Sequence, residues 1–171
     1  MKRLLEYSLK LKHLERTGWI QKNIKNPETV ASHSYQMALM ALYLSKDYSN
    51  QYDFNKVIKM CICHDLAESC IGDITPKDVS YKNKRQEEAK AMQNIANGCC
   101  SDELYDLYIE YEQKETNEAK LANDLDKLDM YIQSLDYEQK NPNLDLSEFR
   151  VSATKSILTP LGKEILASLK K

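Results

Sequence analysis

Residues 116–136, TNEAKLANDLDKLDMYIQSLD, contain the clearest structural pattern in the sequence. Apolar side chains recur in it every three or four residues, which is the spacing of one face of an α-helix. This stripe consists of Leu121, Leu125, Leu128, Ile132 and Leu135. Thr116 precedes the stripe and can cap the N-terminus of the helix. The stretch therefore predicts a long amphipathic helix that buries one face against other helices.

The sequence on both sides shows the same helical spacing, and no segment alternates convincingly with a period of two. Only 4 Gly and 4 Pro occur in the chain, which disfavours turn-rich β folds. We expect an all-α bundle of about seven helices with a loop at 72–80. The other helices are predicted from Leu4 to near Gly18, from between 26 and 32 to about Lys46, from Asp53 to Gly72, near 82–96, near 101–113 and from Thr159-Pro160.

Length and composition suit one soluble globular domain, since the chain has 171 residues with 42% hydrophobic and 29% charged side chains. We therefore expect residues 1–171 to form a single domain. The formal net charge of -2 gives no strong basic field, which disfavours nucleic acid as a partner. No apolar run approaches the roughly 18 residues of a membrane span, and no secretory signal is evident. Five cysteines, an odd number, favour reduced thiols and a cytoplasmic location.

The motif His64-Asp65-Leu66-Ala67-Glu68 carries the strongest chemical signal. We expect it to lie inside the third helix, where residues three and four apart share a face. A surface ion pair is the ordinary interpretation of such a motif. However, the apolar neighbours Ile58, Ile62 and Leu66 indicate a largely buried helix, and burying these charges without partners costs several kcal/mol. Imidazole and carboxylate are good ligands for a divalent metal, which would be one such partner.

Two more residues are candidate ligands. His33 lies on the apolar face of the second helix, where a hydrogen-bonded core histidine is the alternative interpretation. Asp126 lies beside the stripe of the long helix, where a solvated acidic edge is the alternative. Asp124 and Asp129 compete with Asp126, and spacing alone does not decide among them.

Two other features have simpler interpretations. Cys61, Cys63 and Cys70 with His64 suggest a zinc cluster, but on a helix Cys61 and Cys63 point about 200° apart, which argues against it. The basic run Lys82-Asn83-Lys84-Arg85 is expected to form a solvated helix face.

Four segments in order resemble the HD-domain superfamily of metal phosphohydrolases, and within it the HD-domain 5'-deoxynucleotidases. They are LKHLERTGW with PETVASHS (11–19 and 27–34), HDLAE (64–68), GDI with Pro76 (72–76) and DLDKL (124–128). The resemblance covers about residues 4–138, whereas the tail at 141–171 carries no recognised motif. It implies an HD-type helical bundle.

The resemblance also implies the roles of individual residues. It assigns the metal to four ligands, choosing Asp126 over Asp129, and it places two carboxylates beside the reactive water and two residues in the nucleotide pocket. The implied metal ligands are His33, His64, Asp65 and Asp126. The implied carboxylates beside the water are Glu68 and Asp73. The implied pocket residues are Arg16 and Trp19. One departure is Ser32, because relatives often carry an acidic residue before this histidine.

The function implied is metal-dependent hydrolysis of deoxyribonucleoside 5'-monophosphates to deoxyribonucleoside and phosphate. Two imidazoles and two carboxylates suit Mn, Fe, Co, Ni or Zn. The resemblance also implies a homodimer. The alternatives are another HD chemistry, phosphodiester or pyrophosphate hydrolysis, and a non-catalytic helical metal-binding module.

Overall fold

The structure, a computed structural model, describes residues 1–75 and 83–170, and these residues are organised as ten helices. Their bounds are α1 Lys2–Leu11, α2 Thr17–Ile20, α3 Val30–Tyr48, α4 Phe54–Cys63, α5 Glu68–Ile71, α6 Lys84–Cys99, α7 Asp102–Gln113, α8 Asn117–Lys140, α9 Ser147–Ser156 and α10 Pro160–Leu169. Within this part of the chain β pairing is limited to an isolated bridge between Glu15 and Thr29. The prediction of an all-α bundle is confirmed.

Helix starts follow the polar caps in the sequence. The side chains of Asp53, Thr116 and Thr159 each accept a hydrogen bond from the backbone N–H three residues on, which satisfies an otherwise unpaired donor. Pro160 follows Thr159 in the first turn of α10, where its missing N–H costs nothing. All three predicted starts are confirmed.

Helix α8 forms the centre of the bundle. It packs against α3, α4, α7, α9 and α10, and its residues Leu121, Leu125 and Leu128 are fully buried. Farther along the same stripe, Leu135 is 38% exposed. The long amphipathic helix predicted from residues 116–136 is therefore present, and its N-terminal half supplies most of the buried face.

The first helix ends earlier than predicted, at Leu11 instead of near Gly18. The chain after it pairs with the segment that leads into α3, through hydrogen bonds from Arg16 N to Glu28 O (3.0 Å) and from Val30 N to Leu14 O (2.9 Å). These long-range bonds replace the helical ones, and Arg16 becomes the N-cap of the short helix α2.

The predicted helix from Asp53 to Gly72 is interrupted at the HDLAE motif. α4 ends at Cys63, and the chain then tightens, since Leu66 N donates to Cys63 O (3.0 Å) and Glu68 N donates to Asp65 O (3.0 Å). The expectation that the motif lies inside one continuous helix is therefore wrong. Ile62, taken as a sign of burial, is 57% exposed, and the neighbouring sulfur-containing side chains of Met60, Cys61 and Cys63 are buried instead.

The C-terminal segment folds back onto α8. The buried carboxylate of Asp124 accepts hydrogen bonds from Leu158 N and Thr159 N, both 2.7 Å, and so fixes the start of α10. Pro76, Lys82 and most of the predicted loop at 72–80 lie outside the described residues. Within the described residues, no helix combines the length and apolar character needed to cross a bilayer.

Candidate metal centre and adjoining pocket

Two buried histidines direct the same ring nitrogen into one space. In His33, at the start of α3, Nδ1 lies 2.6 Å from Asp129 Oδ2. In His64, just after α4, Nδ1 lies 3.0 Å from the carbonyl oxygen of Cys61. Among the described residues neither Nε2 atom has a hydrogen-bond partner. An imidazole held through Nδ1 with Nε2 free is the arrangement typical of metal-binding histidines.

Two carboxylates lie at these Nε2 atoms. Asp126 Oδ1 is 3.4 Å from His33 Nε2, and Asp65 Oδ2 is 3.1 Å from His64 Nε2. The ligand atoms of His33, His64 and Asp126 all lie within 4.8 Å of one another. A cation with bonds of about 2.1 Å places neighbouring ligand atoms roughly 3 to 3.5 Å apart. The cluster therefore suggests a divalent metal site, and its donor set fits one.

The three aspartates of α8 that were candidates for the fourth metal ligand lie in different surroundings. Asp126 lies at the Nε2 side of His33, Asp129 lies at its Nδ1 side, and Asp124 caps α10 away from the cluster. Tyr111 Oη and Lys127 Nζ donate to Oδ2 of Asp126, at 3.2 and 2.6 Å. Oδ1 of Asp126 therefore faces His33 while the other oxygen is held by the protein.

Electrostatics in the cluster favour charged groups despite burial. Burial and Arg16 lower the pKa of His33, but the neighbouring carboxylates of Asp126 and Asp129 raise it to about 9. Burial raises the pKa of Asp65, yet His64 and Arg16 bring it below its usual range. The carboxylates of Asp65 and Asp126 thus favour positive charge in the cluster, and a bound divalent cation would supply it.

Glu68 is buried at the edge of the cluster. Oε2 has no hydrogen-bond partner among the described residues, and Oε1 lies 3.8 Å from Lys84 Nζ. Burial, Asp65 and Asp73 raise the pKa of Glu68 well above its usual range. A raised pKa makes the Glu68 carboxylate a stronger base, which suits a group that takes up a proton.

Arg16 and Asp73 face the same pocket. Arg16 NH1 lies 3.3 Å from Asp65 Oδ2, and Asp65 and Asp73 raise the pKa of Arg16 although burial alone would lower it. Asp73 Oδ2 accepts a hydrogen bond from Thr17 N at 2.7 Å. Asp73 therefore also anchors the first turn of α2, in addition to lining the pocket.

The pocket beside the cluster has a volume of about 400 Å³, within the range of small-molecule sites. Trp19 forms part of its wall although the indole is 1% exposed, and Trp19 Nε1 donates to Glu28 Oε1 at 2.8 Å. Phe149 of α9 lines the pocket next to it, with ring centroids 4.3 Å apart. All eight residues that the sequence singled out thus lie in the cluster or along this pocket.

Sequence reasoning missed several contributors. Lys84, assigned to a solvated face, lies in the pocket, and its Nζ donates to Ile74 O at 2.8 Å. Phe149 lies in the tail that carried no motif. Its only sequence signal was an aromatic residue in a polar segment. Ser32, the noted departure, is exposed and contacts Thr29 Oγ1 at 3.0 Å.

The cysteines do not assemble a metal site in the described part of the chain. Cys61 and Cys63 are buried and Cys70 is exposed. Burial raises the pKa of the Cys63 thiol to about 12 and that of Cys61 still further above its usual range. These thiols therefore stay protonated, as expected of core residues.

Comparisons with known proteins agree with this geometry. The family model described as HD domain matches residues 9–164. A 5'-deoxynucleotidase HDDC2 from Dictyostelium discoideum is 38% identical over 94% of this chain and 91% of its own length. The protein of that name from Danio rerio is 40% identical over 94% and 80%. A conserved hypothetical protein from Pyrococcus furiosus has a solved structure with a TM-score of 0.88 and 33% identity, covering 99% of both chains.

Proposed function

This chain belongs to the HD-domain family, and from that membership and the site's geometry we propose that it is a 5'-deoxynucleotidase. Its substrates are deoxyribonucleoside 5'-monophosphates, and its products are the deoxyribonucleoside and phosphate. The observation that carries this proposal is the pair of buried Nε2 atoms that face Asp126 and Asp65 at the end of a pocket containing Arg16.

Charge balance supports a metal cofactor. Asp65, Glu68 and Asp126 border the end of the pocket where a phosphate would bind, so the dianion would meet like charge there. His33, His64, Asp65 and Asp126 would hold a divalent cation, with Mn, Fe, Co, Ni and Zn all suited to these ligands. When bound, such a cation polarises a phosphoryl oxygen and lowers the pKa of water.

The protein's own cations would bind the phosphate. Arg16 is mostly buried beside Asp65, and its planar guanidinium can bond two phosphate oxygens at once. Lys84 and Lys127 line the same pocket and add positive charge near that position. These three side chains offset part of the repulsion between the phosphate and the acidic cluster.

Glu68 would act as the base. Water attacks phosphorus as the bond from phosphorus to O5' breaks, and Glu68 accepts the proton that the water loses. The raised pKa of Glu68 supports this role, as does its Oε2 atom, which has no hydrogen-bond partner within residues 1–75 and 83–170. Asp73, with one oxygen held by Thr17 N, would orient the water or assist the return of a proton to O5'.

Trp19 would exclude ribonucleotides by filling the space of a 2'-hydroxyl. The indole lines the pocket three residues after Arg16, and its ring is fixed by Glu28. A buried hydroxyl without a partner costs roughly 1–3 kcal/mol, and contact with a fixed ring adds to that cost.

A homodimer is also proposed, through the outer face of α3. Four large side chains on this face are exposed at helical spacing: Tyr35, Leu39, Leu42 and Tyr43, at 68%, 45%, 58% and 75%. A contiguous apolar face of this kind is typical of an interaction surface. Light scattering should give twice the chain mass for the intact protein and the single mass for Leu42→Lys.

A substrate panel tests the proposed activity. Phosphate release should be measured from deoxy- and ribonucleoside 5'-monophosphates, with each candidate metal added to chelator-treated protein. We expect the deoxy substrates to be preferred. Cleavage of a phosphodiester, or pyrophosphate release from triphosphates, would favour another HD chemistry. Stoichiometric metal without turnover of any substrate would favour a non-catalytic module.

A further inference from the structure

We propose that Phe149 on α9 is the stacking wall for the nucleobase, so that the C-terminal segment completes the substrate site. This inference rests on the proposed function, since it places the base of a 5'-nucleotide in the same pocket. It gives a ligand-binding role to residues beyond 141, where the sequence alone pointed to no site residue.

The position of Phe149 is fixed by the backbone around it. Glu138, near the end of α8, accepts a hydrogen bond from Leu146 N at 2.6 Å through Oε1, and Oε2 lies 2.8 Å from Arg150 NH1. Phe149 N donates to Leu146 O at 3.1 Å. One glutamate thus holds the first turn of α9 against α8, and the Phe149 ring is only half-buried at the pocket wall.

Both charged and apolar side chains line the pocket. Asp126 and Met130 both line it from α8, four residues apart, which is about 6 Å along a helix axis. Arg16 and Trp19 line it from the segment at α2, and Phe149 lies beside Trp19, with 4.3 Å between ring centroids. With the phosphate at the carboxylates and cations and the sugar at Trp19, the Phe149 ring beside Trp19 is the aromatic surface that the adjoining base would meet.

Gly18 has no side chain, which allows the Phe149 ring to lie close to its backbone. A Cβ atom on residue 18 would lie 3.3 Å from Phe149 Cε1, closer than ordinary van der Waals contact. A larger residue at position 18 would require the ring to shift by a few tenths of an ångström. Gly18 and Phe149 are therefore packed closely where both line the pocket.

An aromatic wall has a definite consequence for selectivity. Every base has a π-face, so stacking on an aromatic ring tolerates all four bases. We therefore expect kcat/KM to vary little among the four deoxyribonucleoside 5'-monophosphates. We also expect a substrate that lacks a base to gain nothing from Phe149.

The test compares deoxyadenosine 5'-monophosphate with 2-deoxyribose 5-phosphate, which has the same phosphate and sugar but no base. Phe149→Leu keeps an apolar side chain against Trp19 and removes the π-face. It should lower kcat/KM for the nucleotide roughly 5- to 100-fold, mainly through KM, and leave the sugar phosphate within about twofold. Val151→Ala, at an exposed position of the same helix, is the matched control.

Two results would overturn the inference. An equal fall for both substrates would mean that Phe149 only packs against Trp19, and an unchanged nucleotide KM would mean that it does not touch the base. If the intact protein released phosphate from neither substrate, the proposed function would fail instead. In that case calorimetry would test the stacking separately by measuring deoxyadenosine binding. Phe149→Leu should abolish this binding, and equal binding by the intact protein and the variant would refute the stacking role.

Discussion

Replacing Asp129 by Asn should weaken divalent-metal binding without abolishing it. Asp129 is 1% exposed, and its Oδ2 lies 2.6 Å from His33 Nδ1, so it orients the imidazole from outside the cluster. Loss of such an outer partner typically costs 10- to 100-fold in metal affinity, which is about 1.4 to 2.7 kcal/mol. Asp126→Asn should have a far larger effect, because Asp126 Oδ1 faces the Nε2 atom itself.

Calorimetric titration of chelator-treated protein with Mn²⁺ or Zn²⁺ measures these affinities. Asp136→Asn is the matched control, since Asp136 lies on the same helix and pairs with Lys140 at 2.6 Å. Circular dichroism should show that all three variants are folded. Two outcomes would show that the roles assigned to the two aspartates are wrong. One is an unaltered metal affinity in Asp129→Asn. The other is complete loss of metal binding in Asp129→Asn with normal affinity in Asp126→Asn.

Three further predictions concern single side chains. Glu68→Gln should retain metal and substrate binding while kcat falls on the order of 10²–10⁴-fold, and near-normal turnover would remove Glu68 from the mechanism. Trp19→Phe should lower the deoxy-to-ribo ratio of kcat/KM. Phe is preferable to Ala because truncating this buried indole to Ala costs roughly 3–5 kcal/mol of folding stability. An unchanged ratio in the folded variant would limit Trp19 to packing. A thiol reagent should modify the two exposed cysteines quickly but reach Cys61 and Cys63 only on unfolding, and fast labelling of all thiols would contradict their burial.

The sequence predicts those features of the fold that depend on local contacts. Thr116 and Thr159 cap helices because a hydroxyl meets the third N–H after it, which is a local interaction. The stripe of α8 predicts its buried face for the same reason, since helical periodicity alone brings Leu121, Leu125 and Leu128 together.

Features that depend on distant partners could not be predicted. The first helix stops at Leu11 because residues near Arg16 bond to the segment at Glu28, which lies elsewhere in the sequence. Lys84 has the composition of a surface residue, and only the packing of α6 brings it to Glu68. Helical spacing alone likewise left Asp126 and Asp129 undecided, because their surroundings depend on His33, which is 96 residues away in sequence from Asp129.

The most direct test of the central claim measures metal content and phosphate release on the same samples. The intact protein should bind about one divalent metal per chain and release phosphate from a deoxyribonucleoside 5'-monophosphate, and chelation should abolish release until metal is restored. His64→Ala should lose both the metal and the activity. A full metal complement in His64→Ala, or undiminished turnover after chelation, would contradict the account.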